Sequence, residues 1–499
     1  MSHFAYRERG EDLEIEVDWV VVGSGAGGAT AAVSLARGGA EVALVEAGAW
    51  RNPEQYPKTA YGGMRDLMPG FGSAITNSAA QWPIVQGRGV GGTTVINSAI
   101  CVRTPGDIFA QWQRDLGLPD YSERIWAIQE QLESELAATE TPLALGRTNQ
   151  LAMKGAKALG YESHPTTRYV RECTGSGQCL QGCGAQRKQS LNLNFVPETV
   201  ELGGTVVSCA PVHKVTLEGN RAVGVTGNFQ HPRTRKWGAK FRIRARKGVM
   251  MAASVLHSPV LLLRSGVRNK RLGYDFRAHP GTGIFGVYDD IVDMNKGATQ
   301  GWASMAYREE PGFKLETLSI PPELVASRLK GGGRELMARL GEYRHLAMWV
   351  MAVRAETTGT VGRGPFGPVV RYLLDEADMK RLRGGAVMVA KTHFAAGATH
   401  VIPGVHGLPY KLGRDDLHVL ENAPLQPWHW VGVLSHLFGG CIMGINPNSS
   451  VCDPAGRVHG YDGLIIADAS QIPTNLGVNP QHTIMALARL RAEEALATA

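Results

Sequence analysis

The sequence predicts an α/β protein: a discontinuous Rossmann-like domain into which an α+β domain, an antiparallel sheet plus helices, is inserted. Three observations predict this. A strand, glycine turn, helix and second strand follow one another from Trp19 to Glu46. A buried strand of the same style, Leu464-Ile465-Ile466-Ala467, ends at Asp468 near the end of the chain. The stretch 283–435 between them has none of that character. Sheet strands that recur around a foreign segment imply insertion.

Trp19 to Val22 is a continuous apolar, β-branched run, as expected of a parallel strand buried on both faces. Gly23, Gly25 and Gly28 fit G-x-G-x-x-G. The first glycine allows the tight turn, the second lets backbone approach a pyrophosphate, and the third lets the helix pack on the strand. The Ala-rich run Ala29 to Arg37 favours helix, and Gly38-Gly39 stops it. The next strand ends at Glu46, whose carboxylate suits ribose hydroxyls and repels a 2′-phosphate. Among 62 glycines a bare motif match carries little; the strand–turn–helix–strand–Glu context carries the argument. It does not by itself separate FAD from NAD.

At 499 residues the chain is long enough for two or more domains. With 43% hydrophobic and 19% charged residues it is ordered and globular. The formal net charge of +7 raises nucleic acid as a partner, but the basic residues are scattered. The one dense run, Arg233 to Arg246, reads as a solvated hairpin face, so no nucleic-acid partner is expected. Peripheral association with an anionic membrane surface stays open on charge. No signal peptide or membrane-spanning run is visible. Seven cysteines without a secretion signal point to reduced thiols and a cytoplasmic protein.

Residues 50–85, rich in Pro and Gly, read as a long functional loop, and 122–158 as helical. From Thr205 to Ala252 short strands are expected at Thr205 to Cys209, His213 to Leu217, Ala222 to Gly227, Phe241 to Ala245 and Gly248 to Ala252. Ser254 to Arg264 reads as an apolar helix, Pro322 to Leu340 as a glycine-broken helix pair or lipid-facing lid, and Pro480 to Leu496 as a final helix with Asn479 at its mouth.

Five separated motifs resemble one family, the glucose–methanol–choline oxidoreductases, which are FAD-dependent alcohol-oxidising enzymes. The first is the N-terminal unit. Gly87 to Arg103 resembles the family's Gly-Arg-x-x-Gly-Gly-[Ser/Thr]-x-x-x-Asn signature. Ala253 to Pro259 with Leu261-Leu262 and Ser265-Gly266 resembles its second signature. Ser435 to Gly444 resembles its active-site histidine motif. Gly463 to Ser470, with Gly477-Val478-Asn479-Pro480 and Thr483-Ile484, resembles its C-terminal flavin motif. Finer features, including Cys173, Cys179, Cys183, Lys188 and Ser190, resemble the bacterial subgroup related to long-chain-alcohol oxidases.

The resemblance implies an FAD-binding domain from 1–105, 187–283 and 453–499, with 106–186 and 284–452 as the substrate-binding cap. It implies FAD contacts from Gly23, Gly25, Ala26, Gly28, Glu46, Ala47, Arg88, Gly91, Gly92, Thr93, Asn97, Val212, Asp468, Ala469, Pro480, His482 and Thr483. It implies His436 as catalytic base and Asn479 as the neutral partner that holds the alcohol oxygen. An imidazole suits removal of a hydroxyl proton while hydride leaves the same carbon. Ile96 stands where some members carry a histidine bonded to the flavin, so FAD is expected to be noncovalent. The cysteine trio lacks Cys-x-x-Cys spacing and a fourth ligand, so no metal is expected.

Two functions follow. One is oxidation of an alcohol to aldehyde or ketone, with oxygen or a quinone-like carrier as electron acceptor. Trp428, Trp430, Phe438 and Phe394 are candidates for lining an apolar pocket, which favours a long-chain, aromatic or sterol-like alcohol. The alternative is a flavin-containing lyase of the cyanohydrin-cleaving type, since fold does not dictate reaction.

Overall fold

The computed structural model describes residues 2–498. Its first sheet is built on β1 (Leu13–Val22), whose Val20 and Val21 have no exposed surface. Parallel to it on one side run β2 (Val42–Val45), then β3 (Thr205–Val207) and the short strand Ser2–Phe4. On the other side lies β6 (Trp237–Met251), the longest strand of the molecule. Its first half pairs antiparallel with β5 (Arg221–Gln230), which pairs with β4 (Val212–Glu218). Its last residues pair in parallel with β11 (Leu464–Ile466). The strand near the C-terminus therefore completes a sheet begun at residue 13. Helices α1 (Ala26–Arg37) and α5 (Gln481–Ala497) pack against each other beside this sheet.

The second sheet is antiparallel throughout. Its order is His400–Ile402, β7 (Arg277–Val287), β9 (Leu346–Val353), β8 (Phe313–Thr317), Trp302–Ser304 and His164–Pro165. Strand β10 (Val433–Phe438) pairs with the start of β7. Helix α4 (Glu376–Ala396) covers this sheet and packs on α3 (Arg147–Leu159). One continuous apolar core joins both sheets.

Several expectations shift. Phe241 to Ala245 and Gly248 to Ala252 are not two strands but parts of β6, joined through an irregularity between Ala245 and Gly248. The helical stretch 122–158 is two helices, α2 (Ser122–Glu135) and α3. They are separated by Pro142 and by Gly146 at φ 80°, a backbone that ends a helix. The 50–85 loop contains a helix, Ala60–Leu67. The helix expected from Ser254 starts at Ser258, because Ser254 sits at φ 86°. Pro322 to Leu340 forms two short helices, Pro322–Ala326 and Gly333–Gly341. Strand β7 lies wholly in the second sheet, so the boundary between the sheets falls before Arg277 rather than at 283.

Candidate active site

The dinucleotide cradle is assembled by close backbone contact. Gly23 has φ 98°, and a Cβ there would meet the Ala252 carbonyl at 2.3 Å. A Cβ on Gly28 would lie 1.7 Å from the Gly23 carbonyl oxygen, so only glycine lets α1 approach β1 this closely. In front of Gly25 there is open space. The first turn of α1, beginning at Ala26, has neither a side-chain cap nor an acidic residue. Its free N–H groups and the helix dipole make an anion site.

Glu46 is buried at the end of β2. Its Oε2 accepts from Ser24 N–H (3.1 Å) and Ser24 Oγ–H (2.7 Å), and its Oε1 from Gly48 N–H (2.8 Å). Gly91 N–H donates to Ser24 Oγ, and a Cβ on Gly92 would lie 2.7 Å from Gly25 Cα. Thr93 Oγ1 accepts from Gly87 N–H at 3.0 Å. Arg88 donates to the Ala47 carbonyl and to Gln230, while its Nε stays buried without a partner. Asn97 donates to Gln481 in the first turn of α5 and accepts from Ala99 N–H. The two glycine-rich motifs and the last helix thus meet along one seam. The open space at Gly25, the uncapped α1 and the orphaned Arg88 nitrogen all suit a diphosphate-bearing cofactor.

Two predicted residues have their side chains engaged by the protein itself. Asp468 is buried, and its carboxylate is used up by protein donors: Ser254 N–H, Ser258 Oγ–H, Ser470 N–H and Ser470 Oγ–H. It shapes the turn that carries Ala469 and holds no free oxygen for a ligand. His482 points into the protein, between the Tyr169 hydroxyl and Glu133 Oε1 (3.1 Å). Helix α5 begins at Gln481 with Pro480 as its unpartnered cap, and Asn479 turns to other partners. Thr483 bonds Thr104 across the seam at 2.8 Å, and Val212 opens β4 half-buried.

His436 and Asn479 do come together. Asn479 Nδ2 lies 3.5 Å from His436 Nε2, a long contact. Strand β10 carries the histidine and the approach to α5 carries the amide, so the pair bridges the two sheets. Neighbours missed by sequence reasoning complete the cluster. His279 on β7 faces His436, Nδ1 to Nδ1, at 3.1 Å, and its Nε2 lies 2.9 Å from the Gly477 nitrogen. Lys314 on β8 donates to Asn479 Oδ1 (2.6 Å) and to Glu316 Oε1 (2.7 Å). Burial, and then the Lys314 ammonium, hold the His436 imidazole well below its usual range; burial, then His436 and Lys314, do the same to His279. A lysine and a glutamate two apart in Phe313–Thr317, an otherwise buried strand, were the available signal.

A cavity of about 360 Å³ reaches Asn479. Ile100, Val102, Ala303 and Met305 line it together with Arg103, Glu133 and His164. The four aromatic candidates do not. Trp430, Phe394 and Phe438 are core residues, and Trp428 is on the surface. The three buried side chains are taken up by core packing, which spacing does not disclose.

Cys179 accepts from Arg168 Nη2 at 3.1 Å, and burial of the thiol is outweighed by Arg168 and then Lys188, bringing it down to about 7. Lys188 donates to the carbonyls of Val95, Asn97 and Cys179, clamping the Asn97 segment. All seven cysteines are free. Among the described residues, Cys101, Glu133 and His482 form the one group with metal-ligand geometry. Arg103 takes both oxygens of Glu133 there, and burial pushes the Cys101 thiol up to about 12. Hydrogen bonds and an ion pair therefore already satisfy the cluster.

The fold and site define a Rossmann-like flavoprotein oxidoreductase. The family model described as GMC oxidoreductase matches residues 18–281 in its N-terminal part and 357–488 in its C-terminal part, and the chain belongs to the glucose–methanol–choline oxidoreductase family. An uncharacterised GMC-type oxidoreductase of Mycobacterium tuberculosis is 32% identical over 489 residues, 96% of this chain and 76% of that protein. The long-chain-alcohol oxidase FAO1 of Arabidopsis thaliana is 28% identical over 516 residues, 97% of this chain and 67% of that protein. Formate oxidase of Aspergillus oryzae has the same fold, with TM-score 0.73 at 17% identity over 97% of this chain and 99% of that one. FAD is the cofactor of this family and of this chain. No helix among the described residues is long and apolar enough to cross a membrane.

Proposed function

We propose that the protein oxidises an alcohol to an aldehyde or ketone, with His436 as the proton acceptor. The observation that carries this is the His436–Asn479 pair, whose Asn479 lines the cavity. Bound FAD supplies the acceptor for the hydride that leaves the alcohol carbon. His436, kept neutral by burial, takes the hydroxyl proton at Nε2, and the Asn479 amide donates to the same alcohol oxygen. For Nε2 to be open, His436 carries its ring proton on Nδ1 and donates it to His279 Nδ1. His279 then holds its own proton on Nε2, and Gly477 N–H keeps Asn475 Oδ1, 3.0 Å away, as its acceptor.

The cofactor is held by the α1 turn (Gly23, Gly25, Ala26, Gly28), by Glu46 and Ala47, and by Arg88, Gly91, Gly92, Thr93 and Asn97, with Val212 and the Ala469 and Pro480 backbone nearby. Attachment is noncovalent, because Ile96 has no nucleophile. The cofactor part comprises 1–105, 187 to the start of β7, and 453–499; the rest forms the cap. An apolar alcohol, long-chain aliphatic, aromatic or sterol-like, is favoured by the relationship to long-chain-alcohol oxidases. The electron acceptor is oxygen or a quinone-like carrier. Seven free thiols suit a reducing compartment such as the cytoplasm.

The test is an anaerobic panel of alcohols, from ethanol through long aliphatic and benzylic alcohols to sterols, mixed with the yellow protein. Bleaching of the flavin band by a long-chain alcohol is expected. If no alcohol bleaches it, the oxidation reading fails and a lyase without net redox chemistry takes its place.

A further inference from the structure

Lys314 lies inside the protein with its side chain 1% exposed, and Glu316, its ion-pair partner, is 5% exposed. Gln300 holds the other oxygen of Glu316 at 3.2 Å. An ammonium only donates, so Asn479 must present its oxygen to Lys314 and its NH2 group to His436. At 2.6 Å and charge-assisted, the Lys314 bond is the strong one and decides which way the amide faces.

That orientation bears on a proton. His279 is buried and His436 half-buried, both are neutral, and they meet Nδ1 to Nδ1. Two neutral imidazoles own two ring protons among four nitrogens. One proton bridges the Nδ1 atoms; the other sits on an outer Nε2, of His279 or of His436. Both outer positions face donors. Gly477 N–H points at His279 Nε2, which drives the proton toward His436. The Asn479 NH2 points at His436 Nε2, which drives it toward His279. Gly477 N–H has a second acceptor in Asn475 Oδ1 and can give way. Asn479, with its oxygen held by Lys314, cannot turn around.

We propose that Lys314 is a positioning residue that selects, through the Asn479 amide, the ring form of His436 whose Nε2 is open to take a proton. Glu316 and Gln300 keep the ammonium aimed at Asn479. The inference rests on the reading of His436 Nε2 as the proton acceptor.

The experiment uses FAD-loaded protein labelled with 15N in the histidine rings, with the His436 signals identified by their loss in His436→Ala. Wild type is expected to show the His436 proton on Nδ1 and a bare Nε2. In Lys314→Met the proton should move to Nε2, and flavin reduction by 1-decanol should slow by about tenfold or more with little change in KM. Lys314→Arg keeps a donor for Asn479 and should restore part of the rate and the wild-type ring form. A protonated Nε2 in wild type, or an unchanged ring form in Lys314→Met, overturns the proposal. If Lys314→Met does not hold FAD, the wild-type ring form and the Arg variant decide. If 1-decanol and every other alcohol leave wild-type flavin oxidised, the oxidation reading falls, while the ring forms still settle the role of Lys314.

Discussion

A single imidazole carries the proposed chemistry, and its surroundings explain why it is suited. His436 is half-buried against His279, Asn479 and, through Asn479, Lys314. Replacing it by alanine should slow flavin reduction on the order of a hundredfold or more while the yellow cofactor stays bound, measured by anaerobic stopped-flow. Loss of the colour instead would make the residue structural. The histidine was legible because Gly439-Gly440 and Met443-Gly444 travel with it in the motif. Lys314 and His279 were not, since neither stands in a motif and their importance comes from which atoms they meet. His482 and Asp468 sit in motifs yet turn inward, one to Tyr169 and Glu133, the other to three serines. A motif thus reports the place of these two residues in the chain and not what their side chains meet.

At the level of elements, the β1–α1 unit is the most tightly determined part of the molecule. The Gly28 Cα faces the Gly23 carbonyl at a distance no Cβ can share. Gly28→Ala should therefore push α1 off β1, at a cost of about 1–3 kcal/mol or more. The expected result is protein with substoichiometric FAD and a lower melting temperature, read by absorbance and thermal scanning; full FAD content would remove the close-approach argument. The element boundaries that sequence misjudged share one cause. Strand β6 absorbed two expected strands because β1 and β5 pair with its two halves, and pairing across the chain extends a strand through an irregular residue. The α2–α3 break lies where Gly146 takes a left-handed backbone close against Gly297, a contact far away in sequence.

The whole molecule carries a set of neutral buried histidines that sets its response to acid. Burial lowers His393 to about 3, and moves His279, His436 and His482 downward as well, from an ordinary value of 6.5. The unfolded chain takes up protons at these positions first as pH falls. Stability is therefore complete above 6.5 and drains away below it, by about 1.4 kcal/mol per pH unit for each fully shifted histidine. The melting temperature should be flat from pH 7 to 8 and fall steeply between pH 6.5 and 4. A melting temperature that held constant down to pH 4 would mean that these rings titrate normally.

The sequence by itself determined the parallel sheet, the glycine cradle, the family and the histidine–asparagine pair. All of these are encoded in short contiguous runs, where local backbone demands and residue order coincide. Only the tertiary structure decided which way Asn479 faces, that a buried lysine holds it, and which aromatic residues are core rather than pocket wall. Those outcomes depend on side chains from β7, β8 and β10 meeting residues more than a hundred positions away. No local pattern records such a meeting, because its energy belongs to the packed pair and not to either residue alone.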